Sequence, residues 1–206
     1  MPGRVIAITG ASGVLGSAVA TAAVSQGCHV ALIDHAHHTP HGLVDGDGVM
    51  IQGGVDLTDA ASAKAAIDAA AARFGGLDAV LNIAGGFSWE TVEAGDAATW
   101  AKLFTLNVQT AANVCRAAIP HLKASPAGRI VNVGANGAVK AGLGMGAYAA
   151  SKAGVHRLTE ALAEELKSSG VTVNAVCPRS SIRRPTAPTC RRPTSVRGCG
   201  PRNWPR

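Results

Sequence analysis

The stretch Val5-Ile6-Ala7-Ile8-Thr9-Gly10-Ala11-Ser12-Gly13-Val14-Leu15-Gly16 decides how the chain is read. Its first five residues are a short β-branched run of the kind that forms a strand, and a helical segment predicted over Val14–Gln26 follows the third glycine at once. Glycines are demanded here because the turn is tight and the backbone must come close to a pyrophosphate. The free N–H groups of the helix start meet that charge. Gly10, Ser12, Gly13, Val14, Leu15 and Gly16 are therefore the expected cofactor cradle. Asp34 closes the next predicted strand, 18 residues beyond Gly16. A carboxylate at that place accepts hydrogen bonds from the adenosine ribose and repels a 2′-phosphate, which favours NAD and leaves NADP open.

Outward from this unit, short β-branched runs alternate with longer Ala-rich segments. Strands are predicted at Val5–Thr9, His29–Asp34, Val49–Gln52, Leu77–Asn82, Arg129–Val133 and Val171–Val176. Helices are predicted at Val14–Gln26, Asp59–Phe74, Ala97–Leu122 (with a break inside it) and Gly146–Ser168. Such alternation builds repeated βαβ units, whose right-handed crossovers put helices on both faces of a parallel sheet. The expected fold is a doubly wound, Rossmann-type α/β domain of three layers, α/β/α, with its ligand beyond the carboxyl ends of the strands.

Composition fits that class: 206 residues, 47% hydrophobic and only 3% aromatic, suffice for one domain with a sizeable core. The net charge of +6 suggests a polyanion partner until its location is considered. Eight of the 19 Lys and Arg lie after Pro178, with no Asp or Glu beside them, leaving 11 basic against 13 acidic residues in the rest. That balance offers no nucleic-acid footprint. No apolar run reaches the roughly 18 residues of a membrane span, and the start has no charged region followed by a cleavage site. The expectation is a soluble cytoplasmic protein without membrane or nucleic-acid partners. Neither a CxxC spacing nor a disulfide framework is present. The histidines of His35-Ala36-His37-His38-Thr39-Pro40-His41 lie in a Pro-bearing loop with no Cys or carboxylate at ligand spacing, so a solvated loop is expected in preference to zinc, and no metal is assigned.

Tyr148-Ala149-Ala150-Ser151-Lys152 falls on a predicted helix, where a spacing of four puts both side chains on one face. An ordinary tyrosine titrates near 10, so it exchanges protons at neutrality only beside positive charge. Tyr148 is the chain's only tyrosine. Taken alone, the spacing is common and reads equally as a helix surface pair.

These landmarks resemble the short-chain dehydrogenase/reductase family. Thr9-Gly10-x-x-Gly13-x-x-Gly16 is similar to a spacing variant of its glycine motif, and Asn82-Ile83-Ala84-Gly85 resembles its Asn-Asn-Ala-Gly signature, from which Ile83 departs. The resemblance implies hydride transfer between nicotinamide and a carbonyl or alcohol, with Tyr148 as general acid/base. It implies that Lys152 lowers the tyrosine pKa and holds the nicotinamide ribose. Asn107 then kinks the central helix and holds a relay water, unless it is only a polar residue at a helix interface. Asp56 matches the adenine-contacting acid, though a helix N-terminal carboxylate is an equal reading. Asn82, Ala84 and Gly85 join the expected cofactor site. The family serine expected 13 residues before the tyrosine is Ala135, a loss worth on the order of 3 kcal/mol of polarisation if nothing replaces it. Asn136 stands next to it. Dihydropteridine reductases, similar in this stretch, also lack the serine, which points to an activated substrate. Gly86-Phe87-Ser88-Trp89 either roofs the substrate or packs on the long helix or a partner. An intact member of the family is expected to form homo-oligomers.

From Cys177 onward the composition turns abruptly to Arg, Pro, Thr, Ser and Cys. Residues 1–176 therefore read as the dinucleotide-binding domain and 177–206 as an Arg/Pro-rich disordered tail. GC-rich codons for Arg179 to Cys190, moved by one base, can spell a Thr-Pro turn and an acidic segment. Those for the last residues can spell a Pro-Glu-Glu helix start. Both resemble the segment beyond the sixth strand in the family, so a one-base slip at Val176 or Cys177 is expected, and an intact substrate lid is not. Two other readings stand beside the oxidoreductase: a dinucleotide-binding protein without turnover, and an Arg-tailed nucleic-acid binder.

Overall fold

The computed structural model describes residues 3–37 and 42–178. The tail expectation from Arg179 on, and the loop positions His38 to His41, lie outside the described residues. Six strands, β1 (Val5–Thr9), β2 (His29–Ile33), β3 (Val49–Gln52), β4 (Ala79–Asn82), β5 (Arg129–Val133) and β6 (Thr172–Val176), form one sheet in the order β3-β2-β1-β4-β5-β6. Every neighbouring pair is parallel. The helices are α1 (Val14–Ser25), α2 (Ala60–Phe74), α3 (Ala97–Phe104), α4 (Thr110–Ala124) and α5 (Gly146–Glu165). This is the doubly wound α/β/α architecture that the alternating pattern predicts.

Alternation along β1 shows why the sheet has two cores. Val5 and Ala7 face the side that α2, α4 and α5 cover, together with Ile67, Val80, Val114, Leu122 and Ile130. Ile6 and Ile8 face α1, together with Val30, Leu32, Ala20 and Ala23. A strand buried on both faces reads as a continuous apolar run, and β1 does. The helix starts are specified locally. Asp59 caps α2 by accepting from Ser62 N at 2.7 Å, and Asp96 caps α3 through Ala98 N at 2.9 Å. Gly75 in the left-handed region at φ +76° ends α2.

Boundaries move by one to three residues, some for identifiable reasons. Asp78 begins its pairing before β4 itself, with its N–H on Val5 O and its carboxylate accepting from Val5 N at 2.9 Å. The expected break inside the third helix is one wide turn over Thr105–Gln109, where Thr110 N reaches back to Thr105 O. The segment remains helical on either side of a π-turn, a device that recurs at functional sites. Between β1 and β4 the strand order reverses, which opens a crevice beyond their carboxyl ends. No helix among the described residues is long and apolar enough to cross a membrane.

Candidate active site

A cleft of about 740 Å³ lies at that reversal, lined by the glycine turn, Asp34 to Ala36, Val55 to Thr58, Ile83 to Gly85, Leu106 and Thr110. Gly10 adopts φ +66°, and a Cβ there would stand 2.7 Å from Ala84 N. A Cβ on Gly16 would collide with Gly10 O. Only glycine lets β1 turn into α1 this tightly against the β4 loop. Thr9 ties the two together, since its hydroxyl accepts from Ile83 N at 3.1 Å and Ala84 N at 3.2 Å. Val14 is 93% exposed at the mouth of the cleft, with Leu15 beside it. The glycine cradle, the free helix start and the size of the cleft fit a dinucleotide.

Asp34 sits at the end of β2 with one carboxylate oxygen on Ser12 N at 2.8 Å and the other on Ala36 N at 3.0 Å. Those N–H groups fix its orientation at the cleft wall. Asp56 also lines the cleft, but it does not cap the helix. Its Oδ1 accepts from the Thr58 hydroxyl at 2.7 Å and from Thr58 N at 2.9 Å, and the cap of α2 is Asp59. The Thr58 hydroxyl is the main reason that its carboxyl titrates below the usual range. Asn82 is placed differently from the cofactor role expected for it. It is buried and does not line the cleft; its amide donates to Asn132 Oδ1 at 2.8 Å and Cys115 Sγ at 3.2 Å, and Asn132 donates to the Thr159 hydroxyl at 2.9 Å. Its work is to tie β4 to β5 and α4, with Asn132 extending the link to α5, while Ala84 and Gly85 line the cleft.

Asn107 occupies the middle of the π-turn and is 2% exposed. Its Oδ1 accepts from Gly86 N at 2.9 Å, and its Nδ2 donates to Gly86 O at 3.0 Å and to Ser151 Oγ at 2.9 Å. Ser151 in turn donates to Tyr148 O at 2.8 Å. The long helix, the loop after β4 and α5 are thus pinned to one another beside the tyrosine. Sequence reasoning missed the bridging role of Ser151, although its place between Tyr148 and Lys152 was a signal.

Lys152 is 6% exposed and donates from Nζ to Val133 O at 2.7 Å. Burial lowers its pKa to about 8, with the nearby Cys177 side chain opposing the change electrostatically. Tyr148 is half-buried and packs edge-on against Phe87, centroids 4.9 Å apart at 77°. Burial first, and then the electrostatic influence of the Cys177 side chain, hold its phenol above the ordinary tyrosine value. The ammonium is aimed at the β5 carbonyl, and desolvation governs the phenol. Cys177, just past β6, lies 3.5 Å from His156 Nε2, a neighbour the sequence did not announce. Ala135 is buried at the end of β5, with the exposed Asn136 following it. Among the described residues, no three His, Cys, Asp or Glu side chains gather to hold a metal.

A family model described as short chain dehydrogenase matches residues 4–182. The chain is 36% identical over 179 residues to 2-(S)-hydroxypropyl-CoM dehydrogenase 3 of Xanthobacter autotrophicus, covering 85% of this chain and 70% of that protein. It is 34% identical to a 2,5-dichloro-2,5-cyclohexadiene-1,4-diol dehydrogenase of Sphingobium indicum, covering 86% and 73%. A crystal structure of a short-chain dehydrogenase from Streptomyces avermitilis superposes with a TM-score of 0.79 at 30% identity, covering 85% of this chain. The chain spans 65% of the length of that solved protein.

Proposed function

The chain belongs to the short-chain dehydrogenase family, and we propose that it is an NAD(P)-dependent oxidoreductase acting on a small carbonyl compound or the corresponding alcohol. The reading rests on one observation: a glycine cradle that fits a dinucleotide opens beside a tyrosine and a lysine carried one turn apart on α5. The nicotinamide, when bound, supplies or accepts the hydride. Gly10, Ser12, Gly13, Val14, Leu15 and Gly16 hold the pyrophosphate end, and Asp34 and Asp56 hold the adenosine end. Asp34 supports NAD over NADP, because its fixed carboxylate repels a 2′-phosphate. Tyr148, held in its acid form by burial, gives its proton to the substrate oxygen in reduction and takes one back in oxidation. Lys152 and Asn107 position the tyrosine and the loop after β4.

Ala135 favours a second reading, dinucleotide binding without turnover, because its buried methyl offers no donor to the substrate oxygen. Titration with NADH and NADPH, followed by a carbonyl panel, separates the two. The expected result is tighter NADH binding and turnover that falls about 10²- to 10⁴-fold in Tyr148→Phe. Turnover that survives in Tyr148→Phe ends the catalytic assignment. We further propose the one-base slip near Val176; resequencing the gene across that codon tests it, and an unbroken frame in independent clones ends the idea.

A further inference from the structure

We propose that Phe87 and the clasp between Trp89 and Leu143 form a ready-built apolar wall beside Tyr148 that selects carbonyl compounds bearing a flat apolar group over those bearing a carboxylate. The inference rests on the oxidoreductase reading and names the substrate class of the same site.

Phe87 is anchored through its neighbour. Both backbone polar groups of Gly86 are held by buried Asn107, so the next residue leaves the β4 loop at a fixed point. One edge contact joins its ring to Tyr148, and the residue is still 60% exposed, so much of its apolar surface remains open. Trp89 spends its polar handle on the protein, since Nε1 donates to Leu143 O at 2.9 Å. Glu90 N donates to Gly144 O at 2.9 Å, and Glu90 pairs with Met145 in a parallel bridge. Gly144 is at φ +71°, where a Cβ would run into the Trp89 indole. These contacts join the β4–α3 loop to the β5–α5 loop as one surface, although the bonded residues lie 54 positions apart.

The clasped surface is apolar and open. Trp89 is 59% exposed and Leu143 81%. Free aromatic and aliphatic surface gathered beside a reactive group marks a binding place, and aromatic rings favour flat partners through offset or edge contact. Charge points the same way. The two loops carry Glu90, Glu93 and Asp96 against the single cation Lys140. Glu90 turns its carboxylate toward the start of α3, where Oε2 accepts from the Thr99 hydroxyl at 3.2 Å. Phe87, Trp89 and Leu143 offer a substrate carboxylate carbon surface only, the Trp89 Nε1 being already used on Leu143 O. A phenyl or cyclohexyl group would cover exposed carbon.

The test uses the full chain saturated with NADH, acetophenone and pyruvate as probes, and dissociation constants from ligand-observed NMR, which needs no turnover. The wall predicts that acetophenone binds at least about tenfold more tightly than pyruvate. That preference falls about tenfold in Phe87→Ala and partly in Trp89→Phe, which cuts the clasp. Melting curves report folding, and Phe87→Leu, expected to be intermediate, serves if the alanine variant unfolds. Equal binding of the two probes, binding of neither, or an unchanged preference in Phe87→Ala overturns the proposal. Selective acetophenone binding with no turnover of any carbonyl upholds the wall and sinks the oxidoreductase reading instead.

Discussion

At the scale of single residues, Lys152 carries a cost that a melting curve can read. Below about pH 8 it is protonated in the folded and unfolded chains alike, so the penalty of burying its charge is fully present there. Between about 8 and the ordinary lysine value of 10.5 the folded chain holds fewer protons than the unfolded one, and stability climbs with pH. Lys152→Met is therefore expected to raise stability at pH 7 by on the order of 1–3 kcal/mol, less what the lost bond to Val133 O contributes. The gain should shrink toward pH 10 in urea titrations, while turnover is lost. A gain that stays constant with pH would show that burial is not the cause. The sequence announced this residue and its tyrosine by their spacing. It could not announce that the ammonium points at β5, because that bond joins residues 19 positions apart through the fold.

Among the elements, the π-turn between α3 and α4 organises more than its five residues. It places Asn107 where one amide satisfies both backbone groups of Gly86 and also reaches Ser151. Asn107→Leu removes all three bonds and leaves partly buried backbone polar groups without partners, a loss of about 2–4 kcal/mol by chemical denaturation. Loss of less than about 0.5 kcal/mol would mean that water replaces the amide without cost. The six described strands and the main helical segments were legible from periodicity and glycine punctuation, because parallel strands covered on both sides are written as short apolar runs. The wide turn was legible only as a break of unknown place, since its cause lies in a loop 21 positions away. Phe87 against Tyr148, and Trp89 against Leu143, were hidden for the same reason. The inward facing of Asn82 was hidden as well, because a motif fixes where a residue stands in the chain while its partners in β5 and α4 decide which way it faces.

The whole molecule is lopsided within its described part. α2, α4 and α5 cover one side of the sheet, while the second core gathers around α1 alone. β6 pairs only with β5 among the described residues, and Thr172, Asn174, Ala175 and Val176 are exposed along it. An open apolar edge invites pairing with another chain, and charge on the edge discourages it. Asn174→Lys is expected to lower light scattering on warming, with the melting temperature essentially unchanged. Equal scattering from both proteins would place the sticky surface elsewhere.

The position of β1 also sets a timetable. It lies between β2 and β4, and its pairing with the β4 side joins Val5 to Asp78 across 73 positions. During synthesis the first strand can find β2 early, yet its other edge waits until Asn82 of the 206 residues has emerged. Closing that long loop before any reward arrives makes for slow collapse to the native state. Stopped-flow refolding should accordingly take milliseconds to seconds. A nascent chain halted before Ala79 should be a good customer for chaperones, and one halted beyond Asn82 a poorer one.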